Sequence, residues 1–400
     1  MAVATACSIL ADTAAAFAEA YAALLDRLGG APPDLLLFHY TTAHDGAALR
    51  AATAALPPAV EVQGATTSLG VITEDGVFAG ETVLGMLGLR VEGLVAGAAL
   101  VAKGADPRAA AAVAMRDALE AAGRPGGMPD LVLLAATVGD EEAVLEGIAR
   151  TVGPRVPVFG GTASGPLLDG RSRLDRVFGR VAVRGAEATD AVALTALFAP
   201  MPIGRVFQGG CVPTDLTGTV TEMTAPRVVG RIDGLPAADV FSAWIEAHTG
   251  APAAAASLDL LPLGREAGGI GGHPLYALTY VAGQREDGAL SVMTDIAEGE
   301  VVRLMSGGAE SIAGRPARTL GAAAAMLSAD AGEISGGLIV VCAGLLPRVR
   351  GELAEIHADL ARTLPGRPFL GAFTFGEQGS FPDSRALHGN LMISSLVFGG

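Results

Sequence analysis

The chain has 400 residues, half of them hydrophobic, and a net charge of −15. This length exceeds what one hydrophobic core usually supports, and the hydrophobic content argues against disorder, so two domains are expected. The negative charge and the absence of any Lys/Arg block disfavour nucleic acid or a charged membrane surface as a partner. Three widely spaced cysteines without a CxxC pair indicate neither a disulfide framework nor a cysteine zinc site.

The N-terminal segment predicts an amphipathic surface helix. Its apolar residues recur at three- and four-residue steps, at Leu10, Ala14, Phe17, Tyr21 and Leu24. No cationic region precedes it and acidic residues interrupt it, which is atypical of a signal peptide. No run of 18 apolar residues predicts a membrane span. We therefore expect a cytoplasmic protein.

An internal repeat organises the chain. Residues 34–78 and 130–174 both open with Asp-Leu and an apolar run, and continue with an amphipathic helix, a proline and a second apolar strand that ends in a glycine. The apolar runs are Leu35–Phe38 and Leu131–Ala135, the glycines are Gly64 and Gly160, and a looser third copy begins at Leu338. Each copy predicts a βαβ unit with a buried parallel strand pair.

The segments between the copies predict further strands and helices. In chain order they are strands in 86–102 and 179–198, short strands in 202–234, a helix ending at Gly250, a flexible stretch at 251–257, strands in 274–305 and a helix over 310–328. The predicted fold class is α/β, with two α/β modules built on repeated βαβ units with mixed sheets. The modules are expected at residues 1–199 and 200–400.

Short segments rich in Gly, Thr and Ser follow the second strand of each copy. Ligands of open α/β sheets bind beyond the carboxyl ends of strands, where small residues let a ligand approach the backbone. A ligand pocket is therefore predicted at these turns, with Glu377 as its decisive charged residue. The candidate binding residues are Gly64, Thr66, Thr67, Ser68, Gly160, Gly161, Thr162, Cys342, Thr374, Gly376, Glu377 and His388.

The order of these motifs resembles the N-terminal and C-terminal modules of the FIST family. The resemblance rests on VQGATTSLGV, FGGTASG, the segment from PIGRVFQGG to VFSAWI, then GHPLYAL, IAEGEVVRLM, GAFTFGEQG and ALHGN. It differs from the family where Ala65 replaces a common cysteine, where Arg348 lies several residues after Cys342, and where a glycine separates His388 from Asn390. The resemblance implies an intracellular sensory role, a small ligand such as an amino acid and a separate signalling partner.

Other polar residues admit two interpretations. His39, His44 and Asp45 at one strand end suit a metal ligand set, but solvated loop histidines are the preferred interpretation. Arg348 and Arg350 either clamp an anionic ligand or pair with nearby carboxylates. No metal site is predicted.

Two further functions stay open besides the sensor. The first is a hydrolase or transferase whose catalytic residues are Cys342, Glu377 and His388 in a cleft between the modules. The second, implied by haem-binding members of the FIST family, is a haem-based nitric oxide sensor, with His248, His273 or His388 as axial ligand. Because none of these histidines lies in a diagnostic motif, no cofactor is predicted.

Overall fold

The computed structural model describes residues 1–166, 179–253, 260–327, 333–382 and 384–400. The predicted α/β class with mixed sheets is confirmed. The end of the second sequence copy, at 167–174, and most of the stretch predicted to be flexible lie outside the described residues. No helix in the described part of the chain is long and apolar enough to cross a membrane.

Three units of the chain share one order of elements: strand, helix, strand, helix, strand, hairpin, strand. Unit 1 contains β1 Ala2–Ser8, α1 Thr13–Arg27, β2 Leu35–Tyr40, α2 Gly46–Ala54, β3 Glu61–Thr66, β4 Gly70–Thr73, β5 Gly76–Ala79 and β6 Leu84–Arg90. Unit 2 contains β7 Val95–Ala102, α3 Pro107–Ala121, β8 Leu131–Ala136, α4 Glu141–Val152, β9 Val158–Thr162, β10 Val181–Val183, β11 Ala186–Ala188 and β12 Ala191–Phe198.

Unit 3 begins with β13 Ile203–Gly209 and is interrupted by an insertion. The insertion contains β14 Val212–Ala225, β15 Val228–Ile232, β16 Leu235–Pro236, α5 Ala237–Thr249, β17 Leu263–Ile270, β18 His273–Thr279, β19 Val281–Gln284, β20 Leu290–Val292 and β21 Val301–Ser306. Unit 3 resumes with α6 Ala309–Ala313, α7 Arg315–Ala325, β22 Ile334–Cys342, α8 Leu346–Val349, α9 Leu353–Thr363, β23 Phe369–Thr374, β24 Glu377–Ser380, β25 Ala386–Gly389 and β26 Met392–Gly399.

Each unit forms a six-stranded sheet that is completed by the hairpin of another unit. Sheet 1 has the order β1-β6-β2-β3-β10-β11, sheet 2 β7-β12-β8-β9-β24-β25 and sheet 3 β13-β26-β22-β23-β4-β5. The hairpin after β3 therefore joins sheet 3, the hairpin after β9 joins sheet 1, and the hairpin after β23 joins sheet 2. The insertion forms a fourth, antiparallel sheet around α5.

One parallel strand pair lies at the centre of each of the first three sheets. β2 pairs with β3, β8 with β9 and β22 with β23 in parallel. The predicted parallel pairing of Leu35–Phe38 with the strand that follows α2 is confirmed. The superposition of the two sequence copies stays a prediction, as does the module boundary at residues 199 and 200.

The three sheets enclose a common aliphatic core. Leucines of β2, β8 and β22 that face inward, including Leu37, Leu133 and Leu338, pack in one cluster. The outward faces of the sheets pack against the helices, because residues that alternate along a strand point to opposite faces. Asp12 and Asp45 cap α1 and α2, since their side chains accept hydrogen bonds from the N–H groups of Ala15 at 2.8 Å and Ala48 at 2.7 Å.

The N-terminal helix prediction was wrong in its start and in part of its buried face. Residues 2–8 form strand β1, and α1 begins only at Thr13 because Asp12 caps it. Leu10 precedes the helix and is exposed, and Ala14 is exposed as well. Two other elements also differ from expectation: β14 is 14 residues long rather than short, and the helix predicted over 310–328 is divided at Gly314 into α6 and α7.

Candidate functional site

The three glycine-rich turns that follow β3, β9 and β23 meet at the centre of the molecule. Phe373 N–H donates to Thr67 Oγ1 at 3.0 Å, and Phe375 N–H donates to the carbonyl of Thr162 at 2.9 Å. Ser164 after β9 donates its hydroxyl to the carbonyl of Phe373. The turns converge because each leads directly into a hairpin that crosses to the neighbouring sheet.

The space where the turns meet is small. A cavity of about 40 Å³ is lined by residues of all three sheets, among them Gly64, Gly160, Gly161 and Thr374. Gly161 has no room for a Cβ atom, which would come 2.5 Å from the Thr374 side chain. A cavity of this size holds about one or two water molecules, so a metabolite does not fit there.

Cys342 and Glu377 form a buried pair beside this cavity. Glu377 accepts hydrogen bonds from Thr374 Oγ1 at 2.8 Å, from the N–H of Met392 at 3.1 Å and from the Cys342 thiol. Burial raises the pKa of Glu377 well above its ordinary value despite these hydrogen bonds. Glu377 is fully buried, so it is not a solvated turn residue.

The thiol of Cys342 is held in its protonated form. Burial, and next the Glu377 carboxyl, raise its pKa well above the ordinary value, although backbone N–H groups of Leu391, Gly344 and Gly376 act in the opposite direction. Only the thiolate is an effective nucleophile. The surroundings of Cys342 therefore do not activate it for covalent catalysis.

Strand register shows that Glu377 breaks a pattern shared by the other units. Gly64, Gly160 and Gly371 occupy the same place in β3, β9 and β23, each opposite the hairpin strand from another unit. The hairpin residue opposite the next position is Val181 in sheet 1, Glu377 in sheet 2 and Val71 in sheet 3. A carboxyl thus stands where the other two hairpins have valine.

Cys342 breaks the pattern in the same way. The strand residues opposite the three glycines are Phe38, Leu134 and Ile339, and three positions later the chain has Thr41, Thr137 and Cys342. Both threonine hydroxyls accept a hydrogen bond at 3.0 Å from the N–H of the residue opposite them at the start of the neighbouring antiparallel strand, Val83 before β6 and Ala191 in β12. Opposite Cys342 the equivalent residue is Met392, whose N–H donates to Glu377 at 3.1 Å instead, and the sulfur accepts a bond from the N–H of Leu391.

His388 belongs to a second buried cluster. Glu377 and Gln378 are consecutive in β24, so their side chains point to opposite faces of the sheet. The Gln378 amide contacts His388 Nδ1 at 3.1 Å and donates to Thr162 Oγ1 at 3.0 Å. The structure thus brings Cys342 and Glu377 together and places His388 with Gln378 instead, so the three do not form one catalytic group.

An ion-pair network joins this second cluster to the insertion. Arg227, in the turn between β14 and β15, contacts Glu141 at 2.7 Å, Glu142 at 2.6 Å and Asp295 at 2.8 Å. Burial acts to raise the pKa of Glu141, but the His388 charge and the Arg227 guanidinium outweigh it and hold that pKa at about 2. Neither Glu141 nor Arg227 was predicted from the sequence, where they are 86 residues apart.

An open cleft of about 780 Å³ lies at the carboxyl ends of β2 and β22. Its lining includes Thr67 and Ser68 of the first turn, Glu81 after β5, and Arg350 before α9. Ser68 Oγ is buried and has no hydrogen-bond partner in the part of the chain that the structure describes. Of the predicted site residues, Thr67 and Ser68 thus reach a metabolite-sized space, while Thr66 is buried away from it.

The preferred interpretation of His39 and His44 as solvated loop residues was wrong. His39 lies in β2 and lines the small central cavity, where burial lowers its pKa to about 4. His44 is buried and its Nδ1 contacts Thr13 Oγ1 at 3.1 Å, while Asp45 caps α2. Within the described ranges, no three His, Cys, Asp or Glu residues are grouped as a metal site requires.

The possible haem ligands lie apart from the cavities at the turns. His248 is near the end of α5, where its Nε2 contacts Ser306 Oγ at 2.8 Å. His273 is exposed at the start of β18. His388 is buried against Gly376.

Two family models match the chain in the order of its sequence motifs. The FIST N domain model matches residues 34–235, and the FIST C domain model matches residues 237–380. The chain belongs to the FIST family. FIST domains are generally taken to be small-ligand sensors.

No curated protein matches the chain. Among solved structures, the crystal structure of cyanuric acid hydrolase from A. caulinodans is similar to this FIST protein, with 10% sequence identity and a TM-score of 0.38. The similarity covers 100% of this chain and 99% of the hydrolase.

Proposed function

We propose that this FIST protein is a cytoplasmic sensor that binds an amino-acid-like small molecule in the cleft at the carboxyl ends of β2 and β22 and signals through a separate protein. The observation that carries the proposal is the cleft itself. Its volume of about 780 Å³ lies in the range typical of ligand sites, and residues of all three units line it.

The polar groups of the cleft suit a zwitterion. Arg350 and Glu81 are exposed on its lining, so a ligand carboxylate is expected at Arg350 and a ligand ammonium at Glu81. Ser68 Oγ is a buried hydroxyl that lacks a partner among the described residues, and a ligand group would satisfy it. Leu69, Leu346 and Leu353 supply apolar surface for a side chain.

Thermal shift measurements with each proteinogenic amino acid test the proposal. A ligand that binds only the folded state raises its stability, and the amide of the same amino acid, which lacks the carboxylate, is expected to do so less. Arg350→Gln should then weaken binding roughly tenfold to a hundredfold, the effect of losing a charged hydrogen bond. Ser68→Ala and Glu81→Gln should weaken it less.

Arg362→Gln is the matched control, because Arg362 is exposed on α9 and pairs with Asp359 outside the cleft. Equal affinity of wild type and Arg350→Gln for an amino acid that stabilises the wild type would contradict the proposed site. No stabilisation by any amino acid would contradict the proposed ligand class.

A further inference from the structure

A second groove, of about 440 Å³, shares no lining residue with the cleft. It is bounded by α4 of unit 2, by the β24–β25 hairpin of unit 3, and by β17 and residues 295–300 of the insertion. Three parts of the chain that are distant in sequence therefore build it. His388 lies on its lining, so the groove adjoins the buried cluster of Gln378 and Thr162.

Two arginines of this groove have N–H groups without a partner among the described residues. The Arg265 guanidinium forms an ion pair with Glu300 at 3.5 Å and contacts Thr294 Oγ1 at 3.4 Å, but its buried Nε has no hydrogen-bond partner among the described residues. Arg385 is exposed, and the described part of the chain offers it no ion pair. By contrast, Arg108 at the same groove contacts Glu146 at 2.7 Å.

Four carboxylates also line the groove, and arginines already pair with each of them: Glu142 and Asp295 with Arg227, Glu146 with Arg108, and Glu300 with Arg265. An arginine with a buried and unsatisfied N–H carries a desolvation cost that an anionic ligand removes. Guanidinium groups match carboxylate and phosphate oxygens in geometry as well as charge. The unsatisfied Nε of Arg265 and the exposed guanidinium of Arg385 therefore favour an anion at these two side chains.

Apolar side chains form the rest of the groove. They come from α4, from the strand that follows it, from the insertion and from the hairpin, and they are Leu145, Ile148, Val156, Val158, Ile296 and Leu387. A site with an apolar wall and a few charged groups binds molecules that carry both characters.

We propose that this groove is a second binding site, for a small organic anion with an apolar body, such as a medium-chain monocarboxylate. Arg265 and Arg385 hold the anionic group, and the aliphatic wall holds the body. The site is independent of the cleft that contains Arg350, so either proposal stands without the other.

Calorimetric titration of the full chain with octanoate tests the site. Octanol, which lacks the charge, and acetate, which lacks the apolar body, are expected to bind at least tenfold more weakly. Arg385→Gln and Arg265→Gln should each weaken octanoate binding by roughly tenfold or more, the effect of losing a charged hydrogen bond. Arg385 is exposed, so its variant is expected to fold even where Arg265→Gln does not.

Arg285→Gln is the matched control, because Arg285 is an exposed arginine of the insertion that pairs with Asp287. Octanoate affinity should be unchanged in this control and in Arg350→Gln. The proposal is overturned by equal binding of octanol and octanoate, by unchanged octanoate affinity in Arg385→Gln, or by the absence of octanoate binding at millimolar concentration. Loss of octanoate binding in Arg350→Gln would instead assign it to the first cleft.

Discussion

Glu141 should make the stability of the fold depend on acid pH. Its side chain is 3% exposed, and its pKa is about 2 in the folded protein against an ordinary 4.5. Because the folded pKa is the lower one, the carboxylate stabilises the fold above about pH 4.5, and this contribution is lost as the pH falls from there to about 2. At about 1.4 kcal/mol per pKa unit, the contribution at neutral pH is about 3 kcal/mol.

Substitution of Glu141 by Gln removes the charge and keeps the shape of the side chain. We expect the free energy of unfolding, measured by urea denaturation near pH 7, to fall by about 3 kcal/mol. The difference between variant and wild type should narrow as the pH is lowered towards about 3, because the Glu141 carboxyl of the unfolded wild-type chain takes up a proton in this range while that of the folded chain is still ionised.

Glu146→Gln is the control for helix α4. Glu146 pairs with Arg108 and Arg150 at the surface, where solvent screens ion pairs, so little change is expected at any pH. If Glu141→Gln lowers the free energy of unfolding equally at pH 7 and pH 3, or by no more than Glu146→Gln does, the Glu141 charge does not stabilise the fold.

Three other predictions concern buried groups and haem. Because burial raises the pKa of Glu377 in the folded protein, the free energy of unfolding of the wild type should decline as the pH rises above about 4.5. Glu377→Gln should remove this decline, measured by urea denaturation between about pH 4 and pH 8. Lys103 Nζ donates to the carbonyls of residues 137–139 at 2.8–3.1 Å, so Lys103→Met should cost on the order of 2–4 kcal/mol in the same assay, whereas a cost below about 1 kcal/mol would contradict this role. Titration with haemin should give no sharp Soret band that shifts with nitric oxide, and a stable one-to-one complex would disprove this.

The sequence carried enough information to predict the parallel strand pairs but not how the sheets are completed. The apolar runs at Leu35–Phe38 and Leu131–Ala135 are continuous because both faces of these strands are buried, which is the property that made them recognisable. The hairpins that follow each pair are only three or four residues per strand. Nothing in such short segments indicates which sheet they join.

The sequence predicted the candidate site only in part. The turns at Thr67 and Ser68 were recognisable because Gly, Thr and Ser cluster after an apolar strand. Arg227 and Glu141 were not recognisable as site residues, because an isolated arginine and an acidic residue at the start of a helix are common on solvated surfaces. Only the exchange of hairpins and the insertion bring them within 2.7 Å of each other.

Cys342 and Glu377 differ from the residues at the corresponding positions of the other units, so the fold itself does not require a thiol or a carboxyl there. Units 1 and 2 place threonine at the end of the first parallel strand and valine in the hairpin, which shows that a small hydroxyl and an aliphatic group satisfy these positions. Cys342 and Glu377 replace both at one junction, where burying a carboxyl costs free energy unless it is protonated and hydrogen-bonded.

The double variant Cys342→Thr with Glu377→Val restores the residues of the other units at both positions. If the pair serves only packing, this variant should be at least as stable as the wild type above neutral pH, and the effects of the two substitutions should not add, because the side chains are in contact. A large loss of stability in the double variant would show that the surrounding backbone of unit 3, including Leu391 at a φ of 55°, depends on the thiol and the carboxyl.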